Sequence, residues 1–149
     1  MFSEQALKFN KFEIQSNEDG KIIDLRSGSP MFEYRESVFS PYIEITTHLV
    51  DTGNTVEKDD GDGSAVGLLE AGYCQGTEVV KFNIEDRLGR KINLTKDSDL
   101  RLSSVTSAKQ SFQNQTFTIT AVGKEAFDNT LIDNRCRRQY SGKISDIAL

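Results

Sequence analysis

The residues best suited to hold a cation are the acidic run DDGDG, residues 59–63. Carboxylate oxygens are preferred calcium ligands, and an EF-hand loop that ends at Glu70 would begin at Asp59. That loop needs oxygen ligands at its third and fifth positions, which here are Gly61 and Gly63, and glycine at its sixth position, which is Ser64. Because the EF-hand pattern fails, the run predicts a solvated acidic loop, and weak cation binding by this loop stays open.

His48 is the only histidine, so any site that pairs histidine with serine or cysteine would have to include it. It lies in a run of alternating apolar and polar residues, on the side opposite Ile43, Ile45 and Leu49. This pattern predicts a strand residue that faces solvent or another chain. With one histidine, the common zinc sites are also poorly supported.

Asp51-Thr52-Gly53 has the order of the active-site triplet of aspartic proteases. The next residue, Asn54, stands where that pattern requires a small residue such as alanine or serine. A turn at the end of a strand accounts for the triplet.

The other charged residues predict surfaces. Glu33/Arg35 and Glu44/Thr46 alternate with apolar residues, which is typical of a solvated or interface strand face. A short basic cluster near the C-terminus favours a protein contact or an exposed linker over nucleic acid, because the chain has a net charge of −5. The cluster consists of Arg135, Arg137 and Arg138.

Cys74 and Cys136 are far apart in sequence and outside any CxxC pair, so neither a disulfide framework nor a metal cluster is expected. Two unpaired cysteines fit a protein that folds in a reducing cytoplasm. From the residues alone we predict no catalytic, cofactor-binding or metal-binding residue, and no enzyme.

Size and charge limit the architecture. The 149 residues suffice for one domain, or for one domain and the start of another. Neither a membrane span nor a secretory signal is recognisable. Residues 1–75 carry 14 acidic and 6 basic residues, and residues 76–149 carry 9 and 12. This asymmetry fits self-association or an oppositely charged neighbour, and equally a chance distribution on a solvated surface.

Alternating apolar residues and turn residues predict a mainly β fold of about seven strands, an antiparallel barrel or sandwich. In Met31–Ser37, Phe32 and Tyr34 share the apolar side, which we expect to continue into Val38 and Phe39. The other strand-like runs are Lys8–Gln15, Lys21–Leu25, Tyr42–Thr52, Thr77–Glu85, Arg90–Thr95, Leu100–Lys109 and Gln115–Val122.

Two regions lack the alternation of apolar and polar residues that predicts the strands. Gly53–Ser64 is polar and predicts an exposed loop, and Ala65–Ala71 predicts a helical turn. Lys124–Asn134 has helical spacing, and Lys143–Leu149 begins an amphipathic helix. That final helix would be short without a partner, so we expect the sequence to continue into a further domain.

Several segments, in this order and spacing, resemble the baseplate hub proteins of contractile-tailed, T4-like bacteriophages. They are KFEIQ, IIDLRSGSPMFEYRESVFSP, the strand ending in VDTGN, GLLEAGYCQGTEVV, NIEDRLGR and QYSGKISDI. The resemblance runs from about Phe9 to Leu149. It implies an N-terminal tail-tube-like β-barrel domain over residues 1–123, followed by a helical linker over residues 124–149.

The resemblance also implies a structural role in the virion. Hub subunits carry two such barrels and form a homotrimer, a sixfold ring in the tail baseplate that joins the tail tube to the central spike. The implied partners are further copies of the chain, the tail tube, the central spike and the tape-measure protein, with DNA only as passing cargo and assembly in the host cytoplasm. This chain is shorter than such subunits. The alternative is a small independent β-barrel binding module without catalytic activity.

Overall fold

A computed structural model describes residues 7–29, 31–57, 64–96, 99–111 and 114–129. Three features named from the sequence lie outside these ranges: the acidic run 59–63, Cys136 with the neighbouring arginines, and the helical pattern at 143–149. Whether residues 124–149 form a linker also stays a prediction, because only the first six of them are described.

The described residues form ten strands, one 3-10 turn and one short helix. The turn is Arg26–Gly28 and the helix, α1, is Lys124–Asp128. The strands are β1 Leu7–Gln15, β2 Ile22–Asp24, β3 Met31–Arg35, β4 Glu44–Asp51, β5 Val56–Glu57, β6 Ala65–Val66, β7 Val79–Asp86, β8 Lys91–Leu94, β9 Leu100–Gln110 and β10 Gln115–Gly123.

Eight strands make one antiparallel sheet in the order β2-β1-β7-β9-β10-β4-β3, with β8 paired to β7. Strands β5 and β6 form a separate two-stranded sheet. The predicted mainly β, antiparallel fold with a short helix is therefore confirmed. The sheet is not closed into a barrel, because no ladder among the described residues joins the outermost strands β2 and β3.

The 3-10 turn Arg26–Gly28 lies between β1 and β4. In a closed barrel, neighbouring strands would exchange backbone hydrogen bonds at this place. The Leu25 amide donates to the Phe12 carbonyl at 2.8 Å, which ties the start of the turn to β1. On the other side Gly28 packs against β4, where an added Cβ would lie 2.8 Å from the Val50 carbonyl oxygen. The two ends of the sheet thus approach each other through a turn and side chains.

The core is built around phenylalanines from three strands. Phe82 of β7 contacts Phe9, Phe12 and Phe32 with ring centroids 5.3 to 6.0 Å apart and interplanar angles of 65 to 87°. Edge-to-face contacts of this kind stabilise aromatic pairs beyond the area they bury. Because Phe32 comes from β3 and Phe9 from β1, this cluster holds the curled sheet together across its open side.

Strand β4 alternates as its sequence predicts. Ile45, Thr47, Leu49 and Asp51 are buried, and the intervening side chains face outward. On the same side of the sheet, β3 buries part of Phe32 and Tyr34. The predicted strand faces of both segments are therefore confirmed, and His48 lies on the outer face as expected.

The expectation for Val38 and Phe39 is wrong. Strand β3 ends at Arg35, and both side chains are 96% exposed at the tip of the β3–β4 hairpin. The Ser40 amide bonds the Ser37 carbonyl at 3.0 Å, so a tight turn replaces the strand before the apolar side can continue.

The region after β4 also differs from its prediction. Val56 is 4% exposed and pairs with Val66, so the expected polar loop contains a strand and a core residue. The expected helical turn begins later than Ala65. The Ala71 amide bonds the Gly67 carbonyl at 2.9 Å and the Gly72 amide bonds the Leu69 carbonyl at 3.2 Å, so a single helical turn forms from Gly67 onward.

Candidate functional site

Asp51 organises the segment that follows β4. Its carboxylate is 4% exposed and accepts three hydrogen bonds. Oδ1 accepts from the Gly53 amide at 2.8 Å and the Thr55 hydroxyl at 2.7 Å, and Oδ2 accepts from the Leu68 amide at 2.6 Å. The first two bonds shape the turn, as the sequence predicts, while the third fixes residues that are distant in sequence.

A cavity of about 370 Å³ opens beside Asp51. Its floor is apolar and its mouth carries the polar side chains of the turn and of β2. The lining includes Leu49, Leu68 and Phe117 on the floor and Asp24, Thr52 and Asn54 at the mouth. A pocket that combines an apolar floor with a few polar groups can hold a small ligand.

The hydrogen bonds of Asp51 connect it to the turn and to the segment after it. Its oxygens accept from two backbone amides and a hydroxyl of its own chain, so the carboxylate is occupied in holding the turn. In the described ranges no buried side-chain oxygen or nitrogen lacks a hydrogen-bond partner. The geometry supports a structural role for the triplet.

A second buried carboxylate, Glu78, closes the turn before β7. Glu78 is 2% exposed and accepts the Gln75 and Gly76 amides at 2.9 and 2.8 Å. Between them Thr77 has a φ of 70°, in the left-handed region that β-branched residues rarely adopt. Strand β9 holds this turn, because Leu102 bonds the backbone of Thr77 and Glu78 at 2.8 Å each. No pattern in the sequence indicates this buried acid.

Cys74 lies close to both carboxylates, and this environment acts on its thiol. Burial raises the pKa of its thiol to about 12, and the charges of Glu78 and Asp51 act in the same direction. The thiolate is the nucleophilic form, so a thiol of this pKa stays protonated at neutral pH. Within the described ranges, no group of three or more His, Cys, Asp or Glu side chains is arranged to bind a metal ion.

His48 belongs to a hydroxyl-rich outer face. Its Nδ1 atom lies 2.8 Å from the Thr118 hydroxyl on β10, and Thr46 pairs with Thr120 beside it. This arrangement pairs the imidazole with a neutral hydroxyl. Among the described residues, no carboxylate bonds the ring in the way that orients a triad histidine.

The carboxylates predicted on strand faces lie together at the base of the β3–β4 hairpin. Arg35 binds Glu33 at 2.9 Å and Glu44 at 3.3 Å, and all three side chains are partly or largely exposed. Exposed pairs of this kind contribute about 0–1 kcal/mol, so they shape the surface charge more than the stability.

The most unusual surface feature is the hairpin tip, residues 36–43. Val38 and Phe39 are both 96% exposed, and polar bonds fix the backbone beneath them. The Ser37 hydroxyl accepts the Phe39 amide at 3.2 Å, and the Ser40 hydroxyl donates to the Tyr42 carbonyl at 2.8 Å. Single exposed apolar residues are ordinary, whereas this adjacent pair on a hydrogen-bonded turn is a candidate contact site.

A complementary feature, the apolar groove, lies where the start of β1 meets the β7–β8 hairpin. Leu7, Ile84 and Ile92 line a depression of about 300 Å³, and Arg90 and Lys91 stand at its rim. The two cations pair with Asp86 and Glu85 yet remain 78% and 57% exposed, whereas the carboxylates are 23% and 29% exposed. The rim therefore presents positive charge to solvent.

The hairpin tip and the groove are candidate contact surfaces, and the cavity beside Asp51 is a candidate ligand site. No helix within the described ranges has the length and apolar content to cross a bilayer. Comparisons with protein-family models, with curated proteins and with solved structures find no match to this chain.

Proposed function

We propose that this chain is a structural subunit of a phage tail baseplate hub, part of the ring that joins the tail tube to the central spike. The observation that carries a structural role is the hairpin tip, where Val38 and Phe39 are 96% exposed on a hydrogen-bonded turn. A side chain as large as phenylalanine, held ordered in water, is typical of a residue that a partner covers.

The interior supports the same proposal. Asp51 and Glu78, the buried carboxylates, accept bonds from backbone amides of their own turns. Cys74 holds a protonated thiol, and His48 faces a threonine. These groups stabilise turns and faces, which supports the proposal of a structural assembly protein.

The hub assignment rests on the order of the sequence segments that resemble the hub proteins. Under this proposal the chain is a tail-tube-like domain in a homotrimer, and it contacts the tail tube, the central spike and the tape-measure protein. It resides in the virion tail baseplate after assembly in the host cytoplasm, and DNA passes it as cargo.

Two measurements test the proposal. Mass spectrometry of purified phage particles that encode this chain should find its peptides in the tail fraction, in a fixed ratio to the tail tube protein. Sedimentation velocity of the native product should give trimers, and electron microscopy should show rings. A protein absent from particles, and monomeric at every concentration, would exclude the hub role.

A small independent binding module is the second candidate, and the cavity beside Asp51 favours it. The cavity's apolar floor, formed by Leu49, Leu68 and Phe117, lies beneath a polar mouth. Screening small organic molecules by protein-observed NMR tests it. Shifts confined to these three residues would support binding, and a silent cavity would remove the reason for this candidate.

A further inference from the structure

The volume of the apolar groove matches the side chains of the hairpin tip. A cavity of about 150 Å³ with apolar walls accommodates a benzene ring. The groove provides about 300 Å³ between Leu7, Ile84 and Ile92, enough for a phenyl ring and a neighbouring aliphatic side chain. The adjacent residues Val38 and Phe39 supply these two side chains.

The two surfaces are also complementary in charge. Glu33, Glu36 and Glu44 surround the base of the hairpin tip, and Arg35 compensates only part of their charge. The groove presents Arg90 and Lys91 to solvent, above less exposed carboxylates. Opposite potentials on facing surfaces accelerate encounter and fix the register of a complex.

One molecule cannot fill its own groove with its own tip, because Phe39 is 96% exposed in the folded chain. The complementary surfaces therefore need two molecules. We propose that the hairpin tip of one copy inserts Val38 and Phe39 into the groove of a second copy, between Leu7 and Ile92.

This contact is heterologous, since each copy offers a tip on one side and a groove on the other. Heterologous contacts continue from copy to copy and form closed rings when the rotation between copies closes. The inference rests on the proposed function, because it names the contact through which the subunits of a ring would meet.

Matched variants separate the two halves of the contact. Phe39→Ser removes the tip and leaves the groove, and Leu7→Asp places a charge in the groove and leaves the tip. Each alone should weaken self-association at least about 10-fold, the effect typical of a central interface residue. Ile22→Ser is the control. It removes an apolar side chain that is 52% exposed on β2, beside Gln15 at the opposite end of β1 from the groove.

Mixing the two variants gives the decisive measurement. The intact tip of the Leu7→Asp protein should enter the intact groove of the Phe39→Ser protein, so the mixture should form one-to-one dimers that stop there. Sedimentation velocity of each variant, of the mixture and of Ile22→Ser shows this directly. Dimers in the mixture would also prove that both variants are folded.

Other outcomes would overturn the contact. Wild-type assembly that survives Phe39→Ser or Leu7→Asp would show that the copies meet elsewhere. A mixture that stays monomeric would show that the tip does not enter the groove. Rings that persist in Phe39→Ser would remove this contact and leave the hub role intact, whereas absence of the protein from phage particles would remove the hub role and leave the contact.

Discussion

The hydrogen bonds to Asp51 make a quantitative prediction about the turn after β4. Asp51→Ala removes the acceptor for the Gly53 amide, the Thr55 hydroxyl and the Leu68 amide. Gly53 and Thr55 are exposed, so water can replace the carboxylate there at little cost. Leu68 is 1% exposed, and its amide would lose its partner in the interior.

An unpaired buried donor costs about 1–3 kcal/mol, and a hydrogen bond to a charged group contributes about 1.5–3 kcal/mol. Removing the carboxylate also removes the cost of burying its charge, which offsets part of the loss. The neighbouring cavity can admit water toward the Leu68 amide, which lowers the loss further. We expect Asp51→Ala to lower the free energy of unfolding by about 2 kcal/mol.

Asp51→Asn keeps the shape and tests the charge and the acceptor pattern. In either orientation, the amide NH₂ group faces a backbone donor, of Leu68 or of Gly53, where the carboxylate had an oxygen. We expect a loss of about 1–2 kcal/mol. The matched control is Asp24→Asn, which breaks a half-exposed ion pair with Arg26 and should cost about 0.2–1 kcal/mol.

Urea unfolding followed by circular dichroism measures these changes, provided that the slope of free energy against urea is the same in all variants. Hydrogen exchange should show faster exchange at the Leu68 amide in both Asp51 variants. Stability of Asp51→Asn within about 0.5 kcal/mol of wild type would refute the reasoning, because surface substitutions have effects of that size.

Three further predictions concern the phenylalanine core, the close approach of Gly28 to β4, and the Cys74 thiol. Phe82→Ala should cost about 3–5 kcal/mol because Phe82 is 0% exposed, whereas Phe39→Ala should stay within about 0.5 kcal/mol, both by urea unfolding. Gly28→Ala should cost about 1–3 kcal/mol, since its Cβ would meet the Val50 carbonyl oxygen at 2.8 Å, while Ser27→Ala should be neutral; equal stabilities would contradict the close approach. Cys74 should resist alkylation until the protein unfolds, as peptide mapping can show. Because its pKa is raised to about 12 from an ordinary 9.0, the folded state holds the proton longer, so the Cys74 contribution to stability is complete below pH 9 and lost between pH 9 and 12.

Strand positions and faces are predictable because burial imposes a period of two on them. The alternation in β4 assigns Ile45, Leu49 and His48 to their correct sides of the sheet. The turns at Gly20 and Gly89 are predictable as well, because both adopt the positive φ that glycine tolerates.

Closure of the sheet is not predictable from the same pattern. A barrel and a curled open sheet bury the same alternating residues, and they differ only in whether the outermost strands exchange backbone bonds. Here the 3-10 turn at Arg26–Gly28 stands between β1 and β4, and side-chain contact between Phe9 and Phe32 replaces the missing ladder. Alternation in the sequence carries no information about that pairing.

At the hairpin tip, the alternating pattern predicts burial for residues that are exposed. Val38 continues the spacing of Phe32 and Tyr34, so periodicity assigns it to the core, but it is 96% exposed. Glu36 interrupts the apolar side two residues earlier, and Pro41 disfavours a regular strand after it. These two residues indicate that the strand ends at Arg35, and apolar residues beyond the end of a strand have no core to enter. The proposed contact gives this exposure a role, because the tip of one copy would enter the groove beside Leu7 of a second copy.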